Sequence, residues 1–296
     1  MGMIYKWLRK KRVKVNGKKQ EISYVLNTGD VLELYINDEF FESEKKEQSF
    51  EIKEGSLCIA YEDENIILVN KRPGMLTHPD DNEQKNTLID HITTYLYQKG
   101  EYDPDTENSF APALCNRIDR NTGGIVIAAK NAQSLRILNQ KIKDRELTKL
   151  YVAAVHGVFE KKSGRLTGYL VKNKSTNTVK IFPTKPKFND SNVLSIITDY
   201  RVLSEKVSSS LVEVDLITGR THQIRAHMAS IGHPLIGDGK YGINRNDREK
   251  GYKYQALYSY SLTFDFKTDA GILSYLNKKT FTVPKEKIWF YEDFTK

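Results

Sequence analysis

The stretch from Leu211 to Pro234 narrows the possible folds more than any other part of the chain. Leu211, Glu213 and Asp215 alternate with Val212, Val214 and Leu216, the period of a strand with two unlike faces. Thr218-Gly219-Arg220 then turns the chain, and Ile224, Met228 and Ile231 recur at helical spacing until Gly232 ends the helix and Pro234 prevents its continuation. Strand and helix therefore alternate within one domain. Gly219 lets Arg220 emerge at the strand-to-helix corner, a place where side chains and free amides converge on an anionic partner. His222 and His227 lie in the same stretch, but a five-residue spacing turns them about 140° apart on a helix. Two zinc ligands on a helix need four-residue spacing, so no metal is expected.

Upstream, Ile59-Ala60-Tyr61 and Ile66 to Val69 read as two strands joined over the polar turn Glu62-Asp63-Glu64-Asn65 and ended by Lys71-Arg72-Pro73-Gly74. Thr87 caps a helix in which Leu88, Ile89, Ile92, Tyr95 and Leu96 recur with helical period, closing near Gly100. A length of 296 residues suits one large domain or a main domain with a small appendage, and 39% apolar side chains are enough for a core. No apolar run approaches the roughly 20 residues of a spanning helix, and the N-terminus lacks a signal-peptide stretch. Cys58 and Cys115 are too few for a disulfide framework or a structural zinc site, which points to a reducing cytoplasm.

Charge is unevenly placed. Residues 1–20 hold eight Lys or Arg (Lys6, Arg9, Lys10, Lys11, Arg12, Lys14, Lys18 and Lys19) and no acid, while the other 276 residues balance 38 bases against 38 acids. A short basic segment ahead of a neutral body suits a polyanion, with nucleic acid the best candidate through phosphate contacts and counterion release. The plain alternative is a solvated face. Ile4, Trp7 and Leu8 sit at helical spacing, and Val13 and Val15 lead to an Asn16-Gly17 turn. Further strand material follows through Ile36. We expect a small module over 1–37, an acidic linker over 38–56 and a main domain over 57–296. A second basic run, residues 161–189, carries Lys161, Lys162, Arg165, Lys172, Lys174, Lys180, Lys185 and Lys187 with no acid. Its Gly, Ser, Asn and Pro content predicts a loop that phosphate binding would order.

The run ALCNRIDRNTGGIVIAAKN carries the densest chemistry. Arg117, Asp119 and Arg120 precede Thr122-Gly123-Gly124, and an apolar strand from Ile125 to Ala129 follows. Neighbouring positive charge favours the carboxylate form of an acid, so Asp119 suits a nucleophile. An ordinary surface ion pair would use the same residues.

With NRIDRNTGG, LTKLYVAAVHG and LITGRTHQIRAHMASIGHPLIGDGKYG all present, the chain resembles the bacterial RluA-type pseudouridine synthases, which isomerise uridine in RNA. Its first residues resemble the C-terminal part of an S4-like RNA-binding domain. Asn116 and Ile118 stand where the family carries His and Leu. The resemblance implies an α+β fold, with a mixed, largely antiparallel sheet and flanking helices around an RNA cleft. It implies Asp119 as nucleophile, Tyr151 as the site tyrosine and Arg220 as the arginine that pairs with the aspartate. Isomerisation breaks the C1′–N1 bond, turns the uracil and joins C5 to C1′, and it requires no cofactor or metal. A stacked base hides that bond, so the uridine must leave its stack; Arg117 is placed to fill the space or hold phosphates. Arg9, Lys10, Lys11 and Arg12 are expected to grip RNA. Large-subunit ribosomal RNA is the first candidate partner, with no membrane and a monomeric enzyme. A nucleoside hydrolase or glycosylase would instead release free uracil, and a silent RNA-binding factor would not need Asp119, Tyr151 and Arg220 together.

Overall fold

The computed structural model describes residues 7–10, 12–21, 24–35, 57–80, 83, 85–107, 109–173, 176–187 and 192–295. Contacts divide the chain into two units, Met1–Glu51 and Ile52–Lys296. In the first unit β1 (Val13–Val15) pairs antiparallel with β2 (Leu32–Leu34). Asn16 and Gly17 take positive φ at the turn. The Asn16 side chain accepts the Val31 N–H at 2.8 Å and donates to Asp30 at 2.7 Å, so one residue staples both turns. Residues 7–9 form a helical turn, and Arg9, Lys10 and Arg12 are exposed; Ile4, Lys11 and the acidic segment 38–56 lie outside the described residues.

The second unit begins with β3 (Ile59–Glu62) and β4 (Ile66–Lys71), an antiparallel hairpin. Helix α1 (Leu88–Gln98) follows, with the Asp90 carboxylate accepting both the N–H and the hydroxyl of Thr87 at its start. Next come β5 (Ala113–Leu114), β6 (Gly123–Ala129), α2 (Ala132–Lys143) and β7 (Leu147–His156). The chain continues through β8 (Ser163–Asn173), β9 (Thr178–Phe182), β10 (Leu194–Lys206) and β11 (Ser209–Asp215). Helices α3 (Gln223–Ser230) and α4 (Arg245–Glu249) precede β12 (Leu257–Phe264) and β13 (Thr280–Thr282).

One sheet takes up eleven of these strands in the order β3-β4-β6-β12-β7-β11-β10-β8-β9, with β5 on β6 and β13 on β12. Every pairing in it is antiparallel except β6 with β12. This is the expected α+β class, with a mixed, largely antiparallel sheet.

Both faces of the sheet are covered. Leu88, Ile92 and Leu96 of α1 and Ile224 and Met228 of α3 pack with Ile67, Val69, Val126, Tyr151 and Val214. Leu138 of α2 and the C-terminal Phe290 and Phe294 pack on the other face with Ile66, Leu68, Ile125, Ile127 and Phe264. Double coverage explains why β4 and β6 read as unbroken apolar runs instead of alternating ones. Each fully buried aliphatic side chain contributes about 1.5–3 kcal/mol.

The basic run 161–189 departs from its expectation. Its described part is a strand pair: β8 lies antiparallel to β10 from Leu170 to Ser163, and β9 pairs back on β8. The alternating positions Gly164, Leu166, Gly168 and Leu170 turn inward while Arg165 and Lys172 are exposed. Two glycines at inward positions hid the period-two pattern from an apolar count.

Candidate active site

Two glycines fix the loop that carries Asp119. Where β6 pairs in parallel with β12, Gly123 faces Tyr258 and Gly124 faces Ser259. A Cβ on Gly124 would collide with the Ser259 backbone, and its φ of +118° disfavours any other residue. Asn116 clamps the loop's other end, its side-chain oxygen accepting the Ile127 N–H at 2.8 Å. The departure at this position therefore falls on a loop clamp.

Asp119 is partly exposed in a cleft of about 670 Å³, which Arg117, Tyr151, Arg220, His222 and Arg225 also line. The Asp119 Oδ2 accepts a hydrogen bond from Arg225 Nη1 at 2.8 Å. Arg225 is buried on α3, and its Nε and Nη2 donate to both oxygens of the fully buried Asp238 at 2.7 and 2.8 Å. Backbone N–H groups of Lys240 and Tyr241 also donate to Asp238. Burial raises the Asp238 carboxyl, but Arg225 and these amides outweigh it and hold the group below its ordinary 3.8. Burial likewise lowers Arg225, and the two aspartates more than offset it, so the guanidinium stays charged. One guanidinium thus faces two carboxylates, and the trio keeps a net negative charge. Among the described residues, Asp119 Oδ1 has no hydrogen-bond partner.

Tyr151 lies on β7, opposite Val214 of β11 and Ser259 of β12. It is buried and hydrogen-bonded to the Ser259 side chain, and burial pushes its hydroxyl up to about 12, with the Asp119 charge adding to the shift. The phenol therefore keeps its proton near neutral pH.

The arginine expected to pair with Asp119 does not do so. Arg220 is exposed at the Gly219 corner, and its backbone N–H donates to Gln223 Oε1 at 3.2 Å. Arg225, one and a half turns further along, makes the pair. Gln223 explains the geometry: its amide nitrogen donates to the Ile197 carbonyl at 3.0 Å and to Thr198 at 2.9 Å, while its oxygen accepts the Thr218 hydroxyl at 2.9 Å. The corner is thereby tied to β10, with Arg220 left at the rim and the first turn of α3 placed against Asp119. Sequence patterning missed Arg225 because it sits beside Ile224 on a helix whose residues Gln223 to Met228 are all buried. An arginine inside an otherwise enclosed helix was the available signal, since buried charge requires a partner.

His222 and His227 have protein partners. His227 Nδ1 meets the Thr198 hydroxyl at 3.0 Å, and His222 Nδ1 meets the Tyr241 hydroxyl at 2.9 Å. Burial lowers each to about 4, so both are neutral near pH 7. Lys71 is a further residue that the motifs did not reveal. It is fully buried and donates to the carbonyls of Arg72, Met75 and Arg120 at 3.1, 2.8 and 3.0 Å, lacing the Pro73-Gly74 turn to the Asp119 loop. Burial pulls its ammonium down to about 7, against an opposing pull from Asp119.

The family model of RNA pseudouridylate synthases matches residues 65–230, which span β4 through α3 and include every residue named above as lining the cleft. The chain belongs to this family. An uncharacterized RNA pseudouridine synthase of Mycoplasma genitalium is 34% identical over 267 residues, covering 88% of this chain and 80% of the relative. A ribosomal large subunit pseudouridine synthase C of Rickettsia bellii is 31% identical, covering 94% and 91%. Among solved structures, human RNA pseudouridylate synthase domain containing 4 superposes with a TM-score of 0.61 at 20% identity, over 79% of this chain and 90% of that one. The fold is shared with it. The chain is an RluA-type RNA pseudouridine synthase, an isomerase that acts on RNA. Within the synthase, Asp119, Tyr151, Arg117 and Arg220 meet in one cleft. Of the basic N-terminal residues, Arg9, Lys10 and Arg12 belong to the first unit.

Proposed function

We propose that the synthase isomerises uridines of large-subunit ribosomal RNA with Asp119 as its nucleophile. The observation that carries this reading is the Arg225 bridge. It holds a cleft carboxylate by one oxygen beside a buried ion pair and leaves the other oxygen for the sugar, whether at C1′ or at the C2′ proton. Tyr151 supplies a flat ring and an O–H against the uracil; with its hydroxyl pushed up to about 12 it does not act as a phenolate base at neutral pH. Arg117, exposed two residues from Asp119, enters the space the uridine vacates or holds the phosphates beside it. Arg220 at the cleft rim contacts the RNA backbone instead of orienting the aspartate. Arg9, Lys10, Lys11 and Arg12 add a phosphate grip from the S4-like module. The ribosomal target is supported by relatives named ribosomal large subunit pseudouridine synthases C and D. The enzyme is taken to be a cytoplasmic monomer; the free thiols Cys58 and Cys115 suit a reducing compartment.

Chemical mapping of pseudouridine in ribosomal RNA from cells with and without the protein tests the target. Loss of specific large-subunit sites is expected, and an unchanged ribosomal map would refute it. Tritium release from C5-labelled uridine RNA tests the nucleophile: Asp119→Asn keeps size and hydrogen bonding but removes the charge, so turnover should vanish while RNA affinity persists.

A further inference from the structure

Tyr241 stands where the cleft network meets the basic strand pair β8–β9. Its hydroxyl oxygen receives the backbone N–H of Val179 on β9 at 2.9 Å and lies 2.9 Å from His222 Nδ1. Of those two partners only Nδ1 can accept, so the phenol's hydrogen goes to the imidazole. Donation in that direction selects the His222 tautomer carrying its proton on Nε2. His222 Nε2 lies 3.8 Å from Asp119 Oδ2, the oxygen that Arg225 already holds. The N–H is thus one short movement from a hydrogen bond to that carboxylate.

The chain adopts an unfavourable backbone to achieve this. His222 has φ +53° at the start of α3, a left-handed conformation that non-glycine residues seldom adopt, and its side chain makes no cap hydrogen bond to the helix. A residue chosen for the turn alone would be glycine or asparagine. A second tie runs in parallel, with Lys240 Nζ donating to the Asn177 carbonyl at the β8–β9 turn at 3.0 Å.

We propose that Val179, Tyr241 and His222 form a relay that couples the seating of RNA on the β8–β9 strands to the position of Asp119, with His222 as a neutral positioning residue whose Nε2–H closes on the carboxylate. This rests on Asp119 being the reacting group. Movement of β9 toward a phosphate backbone carries the Val179 N–H with it, shifts the Tyr241 hydroxyl, and swings the imidazole through the remaining gap. The charged and titratable groups facing His222 are Asp119 from the β6 loop, Arg225 from α3, and Asp238, Lys240 and Tyr241 from the segment after α3. Burial and the two cations favour the neutral ring, and the Tyr241 hydrogen on Nδ1 adds to that preference.

Three variants separate the relay from a structural role. Tyr241→Phe keeps the ring stacked 5.3 Å from the Arg225 guanidinium and removes only the hydroxyl. His222→Asn tolerates the left-handed backbone and retains an acceptor near Nδ1, but lacks a donor at the Nε2 position. His222→Gln restores an N–H close to that position. The probe is total RNA, tritiated at uridine C5, from cells lacking the enzyme, used in single-turnover release at saturating protein. Tyr241→Phe and His222→Asn should each slow release by about tenfold or more, the worth of one hydrogen bond to a charged group, with RNA affinity unchanged. His222→Gln should recover much of the rate. Tyr241→Phe should also move the acidic limb set by His222 upward from about 4, because the freed Nδ1 takes up a proton more readily than one that accepts a hydrogen bond. If both slow variants match the parent in rate and pH profile while Asp119→Asn is inactive, the relay is rejected and the nucleophile stands. If Asp119→Asn turns over, both fall.

Discussion

Two arginines in this enzyme grip an aspartate with the same fork. Arg165 on β8 donates to Asp199 on β10 at 2.7 and 2.6 Å, and Arg225 on α3 donates to Asp238 at 2.7 and 2.8 Å. Their surroundings differ. The Arg165 and Asp199 side chains are 61% and 31% exposed, those of Arg225 and Asp238 only 7% and 0%. Water and salt screen the outer pair, so it contributes little to stability and its guanidinium is open to exchange of partners. The inner pair has no such substitute. Its buried charges depend on each other, and the guanidinium edge left over is the one that holds Asp119. Geometry alone therefore does not separate an exchangeable surface pair from a fixed internal one; burial does.

The largest effect should come from breaking the inner pair. Asp238→Asn leaves Arg225 with one carboxylate where it had two and should cost about 3–5 kcal/mol of stability, read as a lowered Tm, together with most of the turnover. Asp199→Asn should leave both unchanged. The pH dependence has a definite sign. Because Asp238 is held below its ordinary 3.8, its stabilisation is present above that value and is lost as pH falls through the lowered one, a loss the Asn variant cannot show.

Lys71→Met tests the buried lacing beneath the Asp119 loop. Three carbonyls lose their donor, at about 1–3 kcal/mol for each left unsatisfied, and turnover should fall with stability. Between about 7 and 10.5 the unfolded chain holds a proton that folded Lys71 has released, so stability should rise with pH across that window. The Met variant should lose that rise, as pH-dependent denaturant melts would show.

Tyr151→Phe should be milder, since it keeps the ring in the cleft and removes a hydroxyl that stays protonated. Single-turnover rates near those of the parent would leave stacking as the main role, and a rate near zero would give the O–H an essential one. Neutralising Arg9, Lys10, Lys11 and Arg12 with Gln should have the smallest effect on chemistry. Affinity should weaken and the salt dependence flatten, by at most about one unit of slope per lost phosphate contact, while turnover at saturating RNA holds. An unchanged slope with intact folding would move the electrostatic grip to the β8–β9 strands.

The elements that could be read from sequence were those whose own period carries the information. The β3–β4 hairpin, the Thr87-started helix and the strand running into the Gly219 corner each bury one face or both against neighbours close at hand. The β8–β9 pair was read as a loop because its inward positions alternate glycine with leucine and its lysines dominate the composition. The site divides in the same way. Asp119 stood out through its arginine-flanked, glycine-followed loop. Which arginine meets it depends on Gln223 tying the corner to Ile197 and Thr198, a contact 25 and 26 residues back in the chain. Lys71, Tyr241 and Asp238 reach the site through the tertiary fold, and no local spacing marks them.

Arg225, and not Arg220, holds the Asp119 carboxylate, the group proposed to react. Both can be tested together by single-turnover tritium release, with RNA binding titrated across salt, for Arg225→Lys and Arg220→Lys. Lysine keeps the charge but lacks the fork that bridges two carboxylates. Arg225→Lys should lose turnover while still binding RNA, and Arg220→Lys should keep turnover at saturating RNA with a modestly altered affinity. An inactive Arg220→Lys beside an active Arg225→Lys would contradict the account.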